Sequence, residues 1–238
     1  MIKIAAAYGD LLNMYGDYAN VAALARYLRE AGFLVETGAF SIGGYIELSA
    51  YDMLYIGAGT ERRMLAALDD FKRFYAELRA FAAGGGFVLA TGNAAALLGN
   101  TTTDIAGTAR EGAGLIDMDA AIVETRSYSE MILTTRLSKN QVFGCINSSL
   151  KISWRGQPFF NVINSVSGVA PKTEGVLNGG VYATQLSGPL LVRNPGLLHG
   201  FAELVSDKKI NESDEQWVKH AAEAQRRVLL KLQRKKKG

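Results

Sequence analysis

Two apolar periods alternate along the first hundred residues. Ile2 to Ala7 is a short, largely apolar run that predicts a first strand, although three alanines make it weak by propensity. From Asn20 the apolar positions Val21, Leu24, Tyr27, Leu28 and Ala31 recur at helical spacing until Gly32, which predicts a helix capped by Asn20. FLVETGAF reads as a second strand and YDMLYIGAG as a third, closed by glycines. MLAALDDFKRFYAELRAFAAGGG carries Leu65, Leu68, Phe71, Phe74, Tyr75, Leu78 and Phe81 as one stripe, predicting a single long amphipathic helix. FVLATGN is a buried strand ending in a tight turn, and AAALLGN starts the next helix. Strands alternating with helices predict an α/β fold with a mostly parallel sheet and flanking helices.

Beyond Ala120 the pattern shifts to shorter strand candidates, AAIVETRSY, EMILTTRL, QVFGCINS, FFNVIN and GGVYATQLSG. NPGLLHGFAELVS predicts a helix with Asn194 as cap and Pro195 in its first turn. A final basic helix is expected over Ser213 to Leu232. These elements divide the chain into one α/β body over residues 1–206 and a basic helix and tail over 207–238.

At 238 residues with 48% hydrophobic positions, the chain can bury the core of one such body. The amino terminus lacks the shape of a signal peptide, and no segment approaches eighteen uncharged apolar residues, so a membrane span is not expected and the cytoplasm is the expected compartment. The net charge of +3 resides in the tail, where residues 208–238 hold ten Lys or Arg against four Asp or Glu. A solvated helix end explains that run better than a nucleic-acid contact. Cys145 is the single cysteine, and only His199 and His220 accompany it, which excludes an intramolecular disulfide and leaves little for a metal. No metal site and no cofactor are expected, since neither a dinucleotide fingerprint nor a P-loop occurs.

Ligands in open α/β sheets bind at the carboxyl ends of strands, which directs attention to Gly57, Ala58, Gly59, Thr60, Thr91 and Asn93 as a ligand-binding or former oxyanion loop around Gly92. The strand and turn around Gly92 have the layout of a nucleophile elbow, yet glycine at the apex has no side chain to attack with. Thr91 carries a hydroxyl on the strand side, without an evident base in the sequence. GAGTERR could form a nest of backbone N–H groups for an anion, or its glycines could simply let the strand turn into its helix. Cys145, in a predicted strand, reads as an inert core cysteine. His199 is placed on a helix and His220 on a solvent-facing one.

DLLNMYGDYANVAAL, YIGAGTERR, LATGNAAALLG, EGAGLIDMD, VFGCINSS and KTEGVLNGGVYATQLSGPLLVRNP, in this order, resemble the class I glutamine amidotransferases of the cobyric acid synthase type. Within them the likeness is nearest to the glutaminase subunit of lipid II isoglutaminyl synthase, and it spans roughly residues 4–205. It implies a flavodoxin-like amidotransferase fold. The family elbow, Ala-Ile-Cys-Gly-Gly-Tyr-Gln-Leu-Leu-Gly, placed through the shared Leu-Leu-Gly, puts the nucleophile on Gly92 and the following residues on Asn93 to Ala96. The family's Thr-Tyr-Leu-His-Gly-Pro places its catalytic histidine on Ser187, and a second histidine, in Glu-Asn-His, falls on Ser148. Gly92, Ser187 and Ser148 are therefore degenerate positions, and the Cys–His route to an acyl-enzyme is absent.

The resemblance implies a catalytically impaired amidotransferase-like subunit that pairs with a Mur-ligase-like, ATP-dependent amidating subunit acting on lipid II, with glutamine or another small ligand as a further binding partner. Two alternatives stand beside it. One is an active amidotransferase with a relocated nucleophile, for which Thr91 and Cys145 are the candidates. The other is a non-catalytic module that binds a small ligand or a protein.

Overall fold

Ile2–Ala7 (β1) is buried on both faces, with Ile4 and Ala6 in one apolar cluster and Ala5 and Ala7 in another. Burial on both sides explains why the strand reads as an unbroken apolar run rather than an alternation. The computed structural model describes residues 1–166 and 171–235, so the last three residues of the basic tail lie outside the described chain. β1 pairs in parallel with Val35–Phe40 (β2) and Met53–Ile56 (β3), and β3 with Phe87–Thr91 (β4). Val181–Thr184 (β11) completes the parallel set beside β4.

Past β11 the sheet turns antiparallel through Thr173–Asn178 (β10), Gln157–Ser165 (β9) and Met118–Thr135 (β7). Thr101–Thr103 (β5) and Ala109–Glu111 (β6) follow on that path, and Ser138–Trp154 (β8) pairs with β7 alone. The expected parallel core is thus the five-strand half that carries the elbow, within a mixed sheet. β10 had no counterpart among the short strand candidates, because Glu174 and Gly175 interrupt its apolar pattern.

Ala19–Glu30 (α1) and Pro195–Ser206 (α5) cover one face of the sheet, Glu61–Phe71 (α2) and Tyr75–Ala83 (α3) the other. The single long helix expected over residues 64–86 is divided by a 3-10 turn at Lys72–Phe74. A 3-10 turn aligns residues three apart, and it sends both Phe71 and Phe74 inward, with rings 6.0 Å apart and both fully buried. Each such burial contributes on the order of 2 kcal/mol.

Asn20 is not a cap. It lies inside the first turn of α1, fully buried, donating from Nδ2 to Tyr55 Oη at 2.7 Å and accepting from the Leu191 N–H at 2.7 Å. Two long-range partners satisfy its amide better than one exposed turn would. Asn194 does occupy the N-cap position of α5, but its side chain reaches β8 instead of the helix, accepting from Phe143 N–H at 2.8 Å and donating to Phe143 O at 2.9 Å.

The segments 120–128 and 130–137, expected as two strands, lie within or beside the one long strand β7, which forms an extended hairpin with β8. The register between them shifts between Ile122 and Ser127, where Glu124 to Tyr128 are exposed. That polar, irregular stretch is what suggested a break. The other edge of β8 is tied down by Asn194 at Phe143, by the Ser187 N–H on Cys145 O at 2.7 Å, and by Gln185 Nε2 on Leu150 O. These ties set Ser148 and Ser187 beside the carboxyl end of β4.

Leu190–Arg193 (α4) precedes α5, and Gln216–Lys235 (α6) closes the described chain. α6 rests on the body through buried Val218 and Leu232 and through Trp217, whose Nε1 donates to Glu30 of α1. No described helix is long and apolar enough to cross a membrane.

Candidate functional site

β4 ends at Thr91, and Gly92 stands at the apex with φ +63°, a backbone conformation that costs an L-residue energy and costs glycine none. A 3-10 turn over Gly92–Leu97 follows, not the α-helix expected from AAALLGN. The run of alanines packs this turn completely, from Ala94 to Leu98 at 0–1% exposure. Thr91 is equally buried, and its Oγ1 shares a hydrogen bond of 2.8 Å with Tyr55 Oη. That hydroxyl is engaged below the elbow.

The structure brings Gly92, Ser187 and Ser148 together. A Cβ built on Gly92 would lie 3.5 Å from Ser187 Oγ and 2.5 Å from Ala58 Cβ. The space above the elbow is thus filled from the glycine loop. What remains is a cavity of about 10 Å³, lined in part by Ala58, Gly59, Asn93, Ser148 and Ser187. Roughly 10–15 Å³ is the least that holds one water, so in this conformation the hollow is no larger than a single water needs. Tyr15, itself at φ +64°, accepts from Asn147 Nδ2 at 3.0 Å at the rim, and Arg126 pairs with Glu61 at 3.4 Å.

Gly57 to Thr60 join β3 to α2, and Thr60 caps that helix by accepting from the Arg63 N–H at 3.3 Å. The loop is no free anion nest, because its inner N–H groups already have partners. Ala58 N–H donates to Asp17 Oδ2 at 3.2 Å, and Gly59 N–H to Asn93 Oδ1 at 3.0 Å, while Asn93 Nδ2 returns to Gly59 O at 2.8 Å. The glycines serve close approach: a Cβ on Gly57 would meet Leu12 O at 2.4 Å, and one on Gly59 would meet Leu12 Cδ2 at 2.6 Å.

Two carboxyls that were not among the sequence candidates for the site, Asp17 and Glu174, flank this region. Asp17 is fully buried beneath the loop, and burial pushes its pKa up to about 7 against the opposing pull of the Ala58 and Gly188 N–H groups and Arg193. Its Oδ1 has no hydrogen-bond partner among the described residues. Glu174 is also pushed up to about 7 by burial, while Thr184 Oγ1 and the Gln185 N–H, at 2.7 Å, favour its charged form. The signal for Asp17 was an acid inside the apolar-flanked GDYAN, and for Glu174 an acid within KTEGVLN. Neither side chain lines the cavity.

The remaining candidates stay apart from the elbow chemistry. Cys145 is half-buried in β8, and desolvation raises its thiol pKa, which disfavours the reactive thiolate. Its backbone oxygen, not its sulfur, serves the site by holding Ser187. His199 lies on α5, bonded through Nδ1 to Tyr27 Oη at 2.8 Å and 3.7 Å from Glu203. His220 meets Gln216 on α6 at 3.0 Å. Among the described residues no group of three or more His, Cys, Asp or Glu is arranged to hold a metal ion.

Residues 3–195 match the family model of the CobB/CobQ-like glutamine amidotransferase domain. The chain is similar to the GatD subunit of lipid II isoglutaminyl synthase (glutamine-hydrolyzing) from Streptococcus pneumoniae, 23% identical over 215 residues that cover 89% of this chain and 83% of that protein. Its fold resembles a glutamine amidotransferase crystal structure with TM-score 0.56 and 14% identity, covering 85% of this chain and 98% of the other. It also resembles PurLQS from Thermotoga maritima, with TM-score 0.53 and 10% identity over 87% and 98% of the two chains.

Proposed function

Because the chain belongs to the CobB/CobQ-like glutamine amidotransferase family, we propose that it acts as a non-hydrolysing amidotransferase-like subunit, whose work is done through a partner rather than through glutamine. The observation that carries this reading is the elbow: glycine at its apex, Ser187 facing it, and Ala58 in the space a nucleophile's Cβ would need. Acyl transfer from glutamine requires a nucleophile and a base within hydrogen-bond reach. The cavity wall offers neither a thiol nor an imidazole.

The likeness to GatD supports a partner of the Mur-ligase-like, ATP-dependent amidating class, acting on lipid II. In that arrangement the ligase activates a carboxylate with ATP and takes up free ammonium, while this chain supports the ligase's structure. The relocated-nucleophile reading is disfavoured, since Thr91 Oγ1 is sealed against Tyr55 and burial raises the Cys145 thiol pKa, which disfavours the thiolate. A small-ligand module would need more than about 10 Å³ at this position.

The test is affinity purification of the full chain from its native cytosol, followed by glutamate-release and amidation assays on the recovered complex. A co-purifying Mur-ligase-like protein that amidates with ammonium chloride and not with glutamine is the expected result. Glutamate release that disappears in Thr91→Val or Cys145→Ser would replace this reading with the relocated nucleophile.

A further inference from the structure

We infer that Asn93 is a built-in occupant of the former oxyanion site, and that it closes this site to carbonyl ligands independently of the changes at Gly92 and Ser187. The inference rests on the non-hydrolysing reading above and adds a cause that restoring the dyad would not remove.

In a strand, elbow and helix site, the developing oxyanion is received by the N–H of the residue after the nucleophile and by an N–H from the loop after a neighbouring strand. Here that loop follows β3, which pairs directly with β4. Its Gly59 N–H points at Asn93 Oδ1, 3.0 Å away, and Asn93 is the residue after the elbow. The carboxamide oxygen is an acceptor of the same kind as the carbonyl of an amide substrate. Nδ2 completes the grip on Gly59 O at 2.8 Å, and only one orientation of the amide satisfies both contacts.

Asn93 is 6% exposed, so its carboxamide has little water with which to replace these bonds. An incoming carbonyl would need to displace a group tethered in the adjacent position of the same chain, a competitor that never diffuses away. The occupant also engages the two peptide groups on either side of the Gly59 Cα, with Ala58 held from beneath by Asp17. Both backbone groups of Gly59 thus have partners without a ligand.

The decisive experiment has two arms on the full-length chain. In the first, amide hydrogen exchange is followed residue by residue in Asn93→Ala. Exchange at Gly59 is expected to accelerate about tenfold or more, the change that loss of one protecting hydrogen bond gives, while β8 and α6 keep their protection. In the second, Ala58→Gly/Gly92→Cys/Ser187→His is treated with a chloroketone analogue of glutamine, with and without the additional Asn93→Gly, and the alkylated position is located by mass spectrometry so that Cys145 is scored separately.

Labelling of the introduced thiol at least about tenfold faster once Asn93 is also replaced is the expected result, matching the loss of one such bond. Equal labelling rates with Asn93 retained, or unchanged Gly59 exchange in Asn93→Ala, would overturn the inference while leaving the non-hydrolysing function in place. Glutamate release by the unaltered chain would overturn both. The exchange arm decides the matter even where the multiple variants fail to fold.

Discussion

Asn194 and Asn93 each grip the backbone N–H and C=O of one residue with both ends of the carboxamide, Asn194 on Phe143 and Asn93 on Gly59. Asn194 adds two partners, donating to Leu190 O at 2.8 Å and accepting from Gln225 Nε2 at 2.6 Å, so β8, α4 and α6 converge on one side chain. Among the described residues the Asn93 carboxamide bonds the backbone of Gly59 alone, beside the small hollow of the elbow. The same chemistry therefore does two jobs. At Asn194 it joins elements that would otherwise lie against each other loosely. At Asn93 it fills a position whose geometry was laid out for a visitor.

The largest effect is expected at the joint. Asn194→Ala leaves several buried partners unsatisfied and should cost roughly 3–4 kcal/mol, which thermal unfolding would show as a Tm lower by roughly 10 °C for a chain of this size. Asn93→Ala should cost about 2 kcal/mol, with exchange changes confined to the glycine loop. Were the two variants equally unstable and equally global in their exchange pattern, Asn93 would be a second joint and the contrast would fail.

A pH series sharpens the same contrast, because a buried acid lies beneath the Asn93 loop. Asp17 and Glu174 are both raised to about 7 by burial. An acid whose pKa is higher folded than unfolded keeps its proton longer in the folded state. Between the ordinary carboxylate range near 4 and about 7 the unfolded chain then binds fewer protons, and stability falls as pH rises through that window. Unfolding at pH 5 and at pH 7.5 should give the higher Tm at pH 5, and Asp17→Asn should flatten part of the slope. A Tm rising over that interval in the unaltered chain would contradict the assignment.

The smallest change is expected at Ser187→Ala. Its hydroxyl makes one long contact, 3.4 Å to Gln185 O, whereas its fixed position comes from the backbone bond to Cys145. Chemical denaturation should register less than about 0.5 kcal/mol. A loss as large as that of Asn93→Ala would mean that the serine carries more of the site than its contacts imply.

The parallel half of the fold was legible because β1, β3 and β4 are short, doubly buried and punctuated by glycine, so local pattern and tertiary position agree. The elbow was legible for the same reason, down to the glycine at its apex. Asn20 was misread because a buried amide with distant partners is indistinguishable, along the chain, from a cap. The burial of Asp17 and Glu174 beside the site was not legible, because it depends on what covers them. The role of Asn93 was hidden too: its partner lies 34 positions away, across two strands that the sequence could pair but not register.

Gly92 and Ala58 also constrain each other. With the loop as it stands, a Cβ at position 92 and the methyl of Ala58 would be 2.5 Å apart, so the two exclude each other. A side chain at 92 and the methyl of Ala58 fit together only if the loop shifts. The two positions are therefore coupled: a side chain added at 92 should be tolerated better beside Ala58→Gly than beside Ala58, an epistasis set by one interatomic distance.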